Sequence, residues 1–104
     1  MDAEELAKAV ASLDRVLHEK MRLAIATALY HRGKADFTYL KRLLKTSEGN
    51  LATHLRTLEQ AGYVRVEKRF VGRRPQTLYE LTEKGKRAYR EYVKNLAKLA
   101  REIA

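Results

Sequence analysis

The segment 47–62, SEGNLATHLRTLEQAG, carries hydrogen-bonding side chains along one face of a predicted helix. Leu51, Leu55 and Leu58 recur at helical spacing, which predicts one apolar stripe that faces the core. Successive residues lie about 100° apart around a helix, so a polar face lies opposite this stripe. Its residues are Gly49, Asn50, Thr53, Arg56, Thr57 and Gln60. The face is mostly short-chained and lacks the Lys and Glu alternation of an ordinary solvated helix, so it suits contact with a hydrogen-bonding partner.

The residues at the two ends of this segment predict where the helix begins and ends. The hydroxyl of Ser47 can accept a hydrogen bond from a free backbone N–H in the first turn, as N-cap side chains do. Gly62 can adopt the left-handed conformation that commonly ends a helix. The predicted helix therefore begins after Ser47 and ends before Gly62.

The side chains near the start of this helix match those that contact base edges in the major groove of DNA. Asn can pair with adenine through two hydrogen bonds, and Thr can bond a base or touch a thymine methyl group. Asn50 and Thr53 are the candidates, and Gly49 would allow close approach of the backbone. Asn50 as a helix cap and His54 as a partly buried structural residue are the alternatives. The residues that suit phosphate contacts are His54, Arg56 and Thr57.

A basic hairpin is predicted directly after the helix. Residues 63–70 alternate in polarity, with Val64, Val66 and Phe70 on the face that should pack, and residues 77–81 return as a second strand. The connection is long and basic, which argues against a tight two-residue turn. Arginine enters narrow minor grooves and its charge attracts phosphates, although such a hairpin can also be plain solvated surface. The cations are Arg65, Lys68, Arg69, Arg73 and Arg74.

The rest of the chain is predicted to be mainly helical. Apolar spacing predicts helices over 3–17 and 20–31, with Gly33 as the stop of the second. Phe37 lies in an extended context, and Thr38 can cap a short helix that runs to Leu44. The turn between this helix and the segment 47–62 is short, as in a helix–turn–helix. Thr82 then caps a long last helix.

Composition indicates a polyanionic partner. The chain has 104 residues and a net charge of +9. Residues 1–19 hold two basic and five acidic side chains (−3), which leaves 20 basic and eight acidic over 20–104 (+12). An excess of this size favours association with nucleic acid. The acidic N-terminus and the lack of a long apolar run predict no signal peptide and no membrane contact, hence a cytoplasmic location.

Catalysis finds no support in the sequence. The chain has no Cys, and His18, His31 and His54 lack the spacing of metal ligands. Its glycines stand alone, outside any phosphate-binding or dinucleotide-binding motif. We therefore expect no enzyme activity, no metal and no cofactor.

Three motifs give the chain a family resemblance: GNLATHLRTLEQAGYV, the GRRP turn and LTEKGK. With the run LHEKMRLAIATALY, they resemble the winged-helix DNA-binding domains of short prokaryotic regulators of the MarR and ArsR groups, and particularly a small archaeal-type family. The resemblance covers about residues 13–98. It implies a homodimer joined by terminal helices, with recognition-helix residues Ser47, Gly49, Asn50, Thr53 and His54 and wing residues Arg73 and Arg74. The chain lacks the cysteine ligands of metal-sensing ArsR proteins and leaves little room for the effector cleft of larger MarR proteins.

Two apolar stripes at the ends of the chain predict an association surface. A small core with one hairpin offers too little surface to cover both stripes, and exposed stripes of this length commonly join two copies of a chain. The residues are Leu6, Val10, Leu13 and Leu17 in the first helix and Tyr92, Leu96, Leu99 and Ile103 in the last. We expect one domain over 1–104, with an N-terminal helix (1–17), a winged-helix core (18–81) and a C-terminal dimerisation helix (82–104).

Together these observations predict an α+β, mainly α, winged helix–turn–helix protein with N- and C-terminal dimerisation helices. The expected function is sequence-specific binding of double-stranded DNA by a homodimer that regulates transcription, most simply by occluding a promoter. A low-specificity architectural or general nucleic-acid binder, including one for double-stranded RNA, would use the same charge without base contacts. A protein-interaction winged helix would expose an apolar wing, so the basic wing argues against it.

Overall fold

The computed structural model describes residues 1–104. It contains five helices and one sheet of three antiparallel strands. The sheet has the order β1-β3-β2, so β3 is central and β2 and β3 form a hairpin. In chain order the elements are α1 (Ala3–Ala11), α2 (Lys20–Arg32), β1 (Lys34–Asp36), α3 (Phe37–Leu44), α4 (Glu48–Gln60), β2 (Val64–Val71), β3 (Arg74–Leu81) and α5 (Glu83–Ile103).

The core lies where α2 meets α3, α4 and the base of the sheet. Leu51, Leu55 and Leu58 are buried there, which confirms the apolar stripe of α4. The α4 boundaries are confirmed as well. Ser47 Oγ accepts a hydrogen bond from the Asn50 backbone N–H at 3.1 Å, and Gly62 follows the helix with φ +78°. The body of the molecule thus holds α4 from one side and leaves its polar side outward.

The start of α3 differs from the prediction. Phe37 is helical, and the N-cap is Asp36, whose carboxylate accepts from the Tyr39 backbone N–H at 2.7 Å; Thr38 lies inside the helix. This hydrogen bond holds the pKa of Asp36 below its ordinary value. An Asp caps as well as a Thr does, and placing the cap two residues earlier lets Phe37 pack against the core.

The N-terminal helix predicted over 3–17 is wrong in length, because α1 ends at Ala11. The carboxylate of Asp14 accepts from the backbone N–H groups of Val16 (2.8 Å) and Leu17 (3.0 Å), which stabilises turns in place of helix. The Tyr63 hydroxyl also donates to Asp14. Burial first, and then this hydrogen bond, raise the pKa of Tyr63 to about 12. Residues 12–19 therefore form a turn segment that the hydrogen bonds of Asp14 hold in place.

Helix α5 begins where predicted, at a Thr82 cap whose hydroxyl accepts from the Gly85 backbone N–H at 3.0 Å. Gly85 lies against the backbone of Tyr63, and a Cβ atom there would lie 2.1 Å from the Tyr63 carbonyl oxygen. Only glycine fits without a shift of backbone, because real Cβ contacts are never that short. The LTEKGK motif thus holds the start of α5 in close contact with the start of the hairpin.

The hairpin turn is also shorter than predicted. Val71 pairs with Arg74, so Gly72 and Arg73 form a two-residue turn, and β3 begins at Arg74. Gly72 has φ +64°, a conformation that the tight hairpin turns require. Pro75 lies in β3 beyond the part that pairs with β1, on a free sheet edge where proline is tolerated. The result is a long, closed two-stranded wing.

Four of the residues predicted for an exposed dimer surface are buried within one chain. Leu13, Leu17, Tyr92 and Leu99 belong to the core, with Leu17 only 1% exposed. A single chain therefore covers half of the two stripes, contrary to the prediction, because α1 packs on α5 and residues of the turn segment join the same core cluster. Leu6, Val10 and Ile103 stay exposed, and Leu96 is half-buried.

Candidate nucleic-acid interface

The first two turns of α4 present the predicted polar face to solvent. Gly49, Asn50 and Thr53 are exposed, as is Arg56 one turn further along, whereas Thr57 is half-buried. The Ser47 hydroxyl accepts the cap bond and so positions the helix start, while its O–H proton and second lone pair stay free. The structure thus brings Gly49, Asn50, Thr53 and Arg56 together on one open surface.

Asn50 combines a backbone role at the cap with a free side chain. Its backbone N–H donates to Ser47, and one proton of its amide nitrogen goes to Thr46 Oγ1 at 2.8 Å. The second amide proton and the amide oxygen take part in no hydrogen bond. Because a two-bond contact to adenine needs one donor and one acceptor, Asn50 keeps that capacity in this conformation.

The threonines of α4 have already used their hydroxyl protons. Thr53 Oγ1 donates to the Gly49 carbonyl at 2.9 Å, and Thr57 Oγ1 donates to the Thr53 carbonyl at 3.2 Å. Each side chain therefore offers only lone pairs and a methyl group to a partner. Of the contacts open to Thr53, acceptance from a base amine and contact with a thymine methyl fit this geometry best.

No contact within the chain requires a glycine at position 49. A Cβ atom built at this position meets nothing within 4 Å, and its φ is not positive. Close approach of a partner to the backbone at Gly49 stays a prediction.

His54 does not lie on the polar face. Its side chain is 17% exposed and its Nδ1 lies 3.1 Å from Arg22 Nη1 and 3.6 Å from Glu19 Oε1. Arg22 can only donate, so His54 Nδ1 accepts in this contact. Arg22 Nε donates in turn to the Val16 carbonyl at 2.6 Å. These contacts favour the alternative of His54 as a partly buried structural residue over its placement at a DNA contact.

Two wing arginines are engaged with other side chains of the sheet. Arg65 Nε donates to Glu80 Oε1 at 3.1 Å, and this bond holds the pKa of Glu80 below its ordinary value. Arg69 Nε donates to Gln76 Oε1 at 2.9 Å, and Gln76 Nε2 donates to Asp36 Oδ2 at 3.0 Å. The Arg65–Glu80 bond joins β2 to β3, and the Arg69–Gln76–Asp36 bonds join the wing to the N-cap residue of α3.

The wing tip holds the uncompensated charge. Lys68, Arg73 and Arg74 are exposed and form no ion pair. No carboxylate occurs between residues 68 and 77. The predicted cations thus divide into two paired residues, Arg65 and Arg69, and three free ones, and the strand register places the free Arg73 and Arg74 at the turn of the wing.

Phe70 is exposed, although the sequence pattern predicted that it packs. Alternation puts it on the packing face of β2 with Val64, which is buried, but Phe70 is 74% exposed because the strand extends past the helices. Arg22 and Glu19, which fix His54, also escaped sequence reasoning, since their partner lies 32 or more residues away. The length of β2 beyond its last buried residue was the available signal for Phe70.

No three side chains of His, Cys, Asp or Glu are grouped as metal ligands would be. No helix combines the length and the apolar character that crossing a membrane requires.

Comparisons with known proteins agree with this geometry. A family model described as a winged helix DNA-binding domain matches residues 21–100. The uncharacterized protein MJ0432 of Methanocaldococcus jannaschii is 32% identical over 89 residues, which span 86% of this chain and 97% of that protein.

Two solved structures are similar over most of the chain. A transcriptional regulator homologue from Pyrococcus horikoshii OT3 has a TM-score of 0.84 and 31% identity, and the match covers 96% of this chain and 97% of the other. The transcriptional repressor BigR from Xylella fastidiosa has a TM-score of 0.64 and 26% identity, with 84% and 82% covered. The predicted winged-helix architecture is confirmed.

Proposed function

The chain belongs to the winged-helix DNA-binding domain family and is a DNA-binding regulator of transcription, and we propose that it is a sequence-specific homodimer that represses by occluding a promoter. The observation that carries sequence specificity is the open face of α4, where Asn50 keeps a free donor and a free acceptor. The cations at the wing tip supply the contacts to phosphates, which do not depend on sequence.

The shape of the chain supports dimerisation. Its principal extents are 59 × 26 × 21 Å and its radius of gyration is 15.6 Å, against about 13 Å for a compact domain of this length. Helix α5 contributes about half of the long dimension, since 21 residues of helix span roughly 30 Å. A layer formed by α1 and α5 is a natural surface for a second copy.

Helix α5 has a second apolar stripe beside the one that packs inward. Tyr89, Tyr92 and Leu99 face the core, whereas Val93, Ala97 and Ala100 are exposed on an adjacent strip of the same helix. With the exposed side chains of Leu6, Val10 and Ile103, this strip forms the surface that we assign to the dimer. Exposed apolar stripes commonly mark an association site, and two-fold homodimers are the commonest outcome.

Two-fold symmetry also suits the function. A dimer presents two α4 helices to successive major grooves about 34 Å apart, so the operator should be an inverted repeat with half-sites about 10 base pairs apart or a multiple of that. Occlusion of a promoter needs only stable occupancy of such a site. The description of BigR as a transcriptional repressor favours this sign of regulation.

The experiment combines light scattering with binding to duplexes selected from genomic DNA. Val93→Glu with Ala97→Glu should convert the dimer to a monomer that keeps its fold and binds DNA far more weakly. Lys94→Gln with Lys98→Gln is the matched control, because it lowers the net charge by the same two units on the polar side of the same helix and should leave the mass unchanged. Leu99 is unsuitable for this test because it is buried.

Three results would contradict the proposal. A wild-type monomer at micromolar concentration that binds one half-site tightly would overturn the dimer. Binding that depends on salt but hardly distinguishes selected from random duplexes would identify a low-specificity architectural protein instead. Increased transcription from a bound promoter would overturn repression.

A further inference from the structure

The wing carries an apolar side chain among its cations. We propose that Phe70 is a wedge that the wing presses into the minor groove of the operator, unstacking a base step there. The inference rests on the proposed DNA binding and adds to it a contact that reads how easily the duplex deforms.

The position of Phe70, rather than its exposure, carries the argument. Single exposed apolar residues are ordinary on protein surfaces. Phe70, however, pairs in register with Pro75, one pair away from the two-residue turn. The ring thus lies at the end of the wing and on the side of the sheet that faces the helices near its base, where Val64 is buried.

The charge around the ring selects a polyanion as its partner. Lys68, Arg69, Arg73 and Arg74 all lie within four residues of Phe70, and no carboxylate intervenes. An apolar pocket on another protein would need an acidic rim to accept this surface. DNA offers phosphates on both sides of a minor groove about 6 Å wide, and proteins that bind this groove often insert Phe, Leu or Pro between base steps.

The wing holds the ring in a defined place. The turn needs only Gly72 and Arg73, the ring of Pro75 fixes its own φ, and the Arg69–Gln76–Asp36 hydrogen bonds tie the wing to α3. A contact made by a pre-ordered group loses less conformational entropy on binding. Phe70 can therefore act as a wedge rather than as a flexible apolar contact.

Binding measured across a range of salt concentrations separates a wedge from a charge contact. Phe70→Ala should weaken binding to the selected duplex roughly tenfold or more, since stacking of a base on an aromatic ring is worth about 1–3 kcal/mol. The slope of log affinity against log salt should not change, because no cation is lost. Phe70→Leu should recover part of the affinity, as Leu also serves as a wedge. Val71→Ala, on the opposite face of β2, is the control and should change affinity less than about twofold.

Fluorescence of 2-aminopurine, placed in turn at each adenine of the selected duplex, reports the unstacking directly. Wild-type protein should raise the fluorescence at one step in each half-site, and Phe70→Ala should abolish that rise. Wild-type affinity and an unchanged fluorescence rise for Phe70→Ala would overturn the wedge, as would a changed salt slope or a changed oligomeric mass. If the wild-type protein still binds its operator and Asn50→Ala still lowers specificity, the proposed function survives that failure. Loss of all duplex binding by the wild type would instead refute both proposals.

Discussion

Helix α4 and the wing are built in opposite ways. Three leucines and the His54–Arg22 hydrogen bond fix α4 to the body, and the exposed side chains of its first turns are short and nearly neutral. The wing is fixed at its base by buried Val64 and Leu81 and by the Arg65–Glu80 pair, and further out only by the Arg69–Gln76–Asp36 hydrogen bonds. Its outer half is exposed and carries only positive charge.

This difference suggests a division of labour. A hydrogen bond to a base edge discriminates only when its donor and acceptor are held in place, which a buried helix stripe achieves. Attraction to phosphates tolerates loose placement, because it depends on charge and on counterion release. We therefore expect α4 to control specificity and the wing tip to control affinity and its salt dependence.

The largest expected effect comes from the free cations of the wing. Arg73→Ala with Arg74→Ala should weaken binding by about 3 kcal/mol, roughly a hundredfold, since a hydrogen bond to a charged group is worth about 1.5–3 kcal/mol. The slope of log affinity against log salt should fall by about two if both side chains neutralise phosphates. Binding titrations at several salt concentrations measure both quantities.

Arg87→Ala with Arg101→Ala is the matched control, because it removes the same charge from the exposed side of α5. If the wing and the control variants show equal slopes, the wing tip is ordinary solvated surface. Melting temperatures of both should stay near the wild-type value, since all four side chains are exposed.

The next largest effect concerns α4. Asn50→Ala or Thr53→Ala should narrow the gap between selected and random duplexes by about 1–3 kcal/mol if a specific base contact is lost. Arg56→Ala should weaken binding to both duplexes alike, as the loss of a phosphate contact does. Competition titrations with the two duplexes give the specificity ratio.

A contrary result for Asn50 has a clear alternative. Its side chain already bonds Thr46, so in this alternative Asn50→Ala lowers only the melting temperature by loosening the start of α4. An intact specificity ratio with a lowered melting temperature would make Asn50 a structural cap. Thr46→Ala separates the two roles, because it removes the same internal bond and keeps the amide group.

Local patterns predicted the parts of this fold that local energetics determine. The stripe of α4, the Ser47 and Thr82 caps and the glycines after α2 and α4 follow from spacing and backbone conformation, and all are confirmed. The α1 boundary was missed because apolar spacing continues to Leu17, while the Asp14 carboxylate competes for the backbone N–H groups. The spacing of apolar residues does not show that competition.

The misassigned site residues share a different cause. His54 turns inward because Arg22 and Glu19 meet it from another element, and Leu99 is covered because α1 and the turn segment lie against α5. Phe70 stays exposed because the wing outruns the helices that cover its base. Each outcome depends on contacts between distant parts of the chain, which a pattern in one segment cannot express. The polar face of α4 needed no such contact and was predictable.

The smallest expected effect tests whether base and tip of the wing really differ. Arg65 is bonded to Glu80, so Arg65→Ala should change neither the salt slope nor DNA affinity by much. It should lower the free energy of unfolding by less than about 1 kcal/mol, as partly exposed ion pairs do.

The folded pKa of Glu80 lies below its ordinary value of 4.5, so this stabilisation is present above pH 4.5 and is lost as the pH falls through the folded pKa. Urea unfolding of wild type and variant at pH 7 and again near pH 3 should therefore show a difference that shrinks on acidification. A salt slope reduced as much by Arg65→Ala as by the loss of one tip arginine would mean that the Glu80 pair opens on binding, and the distinction between base and tip would fail.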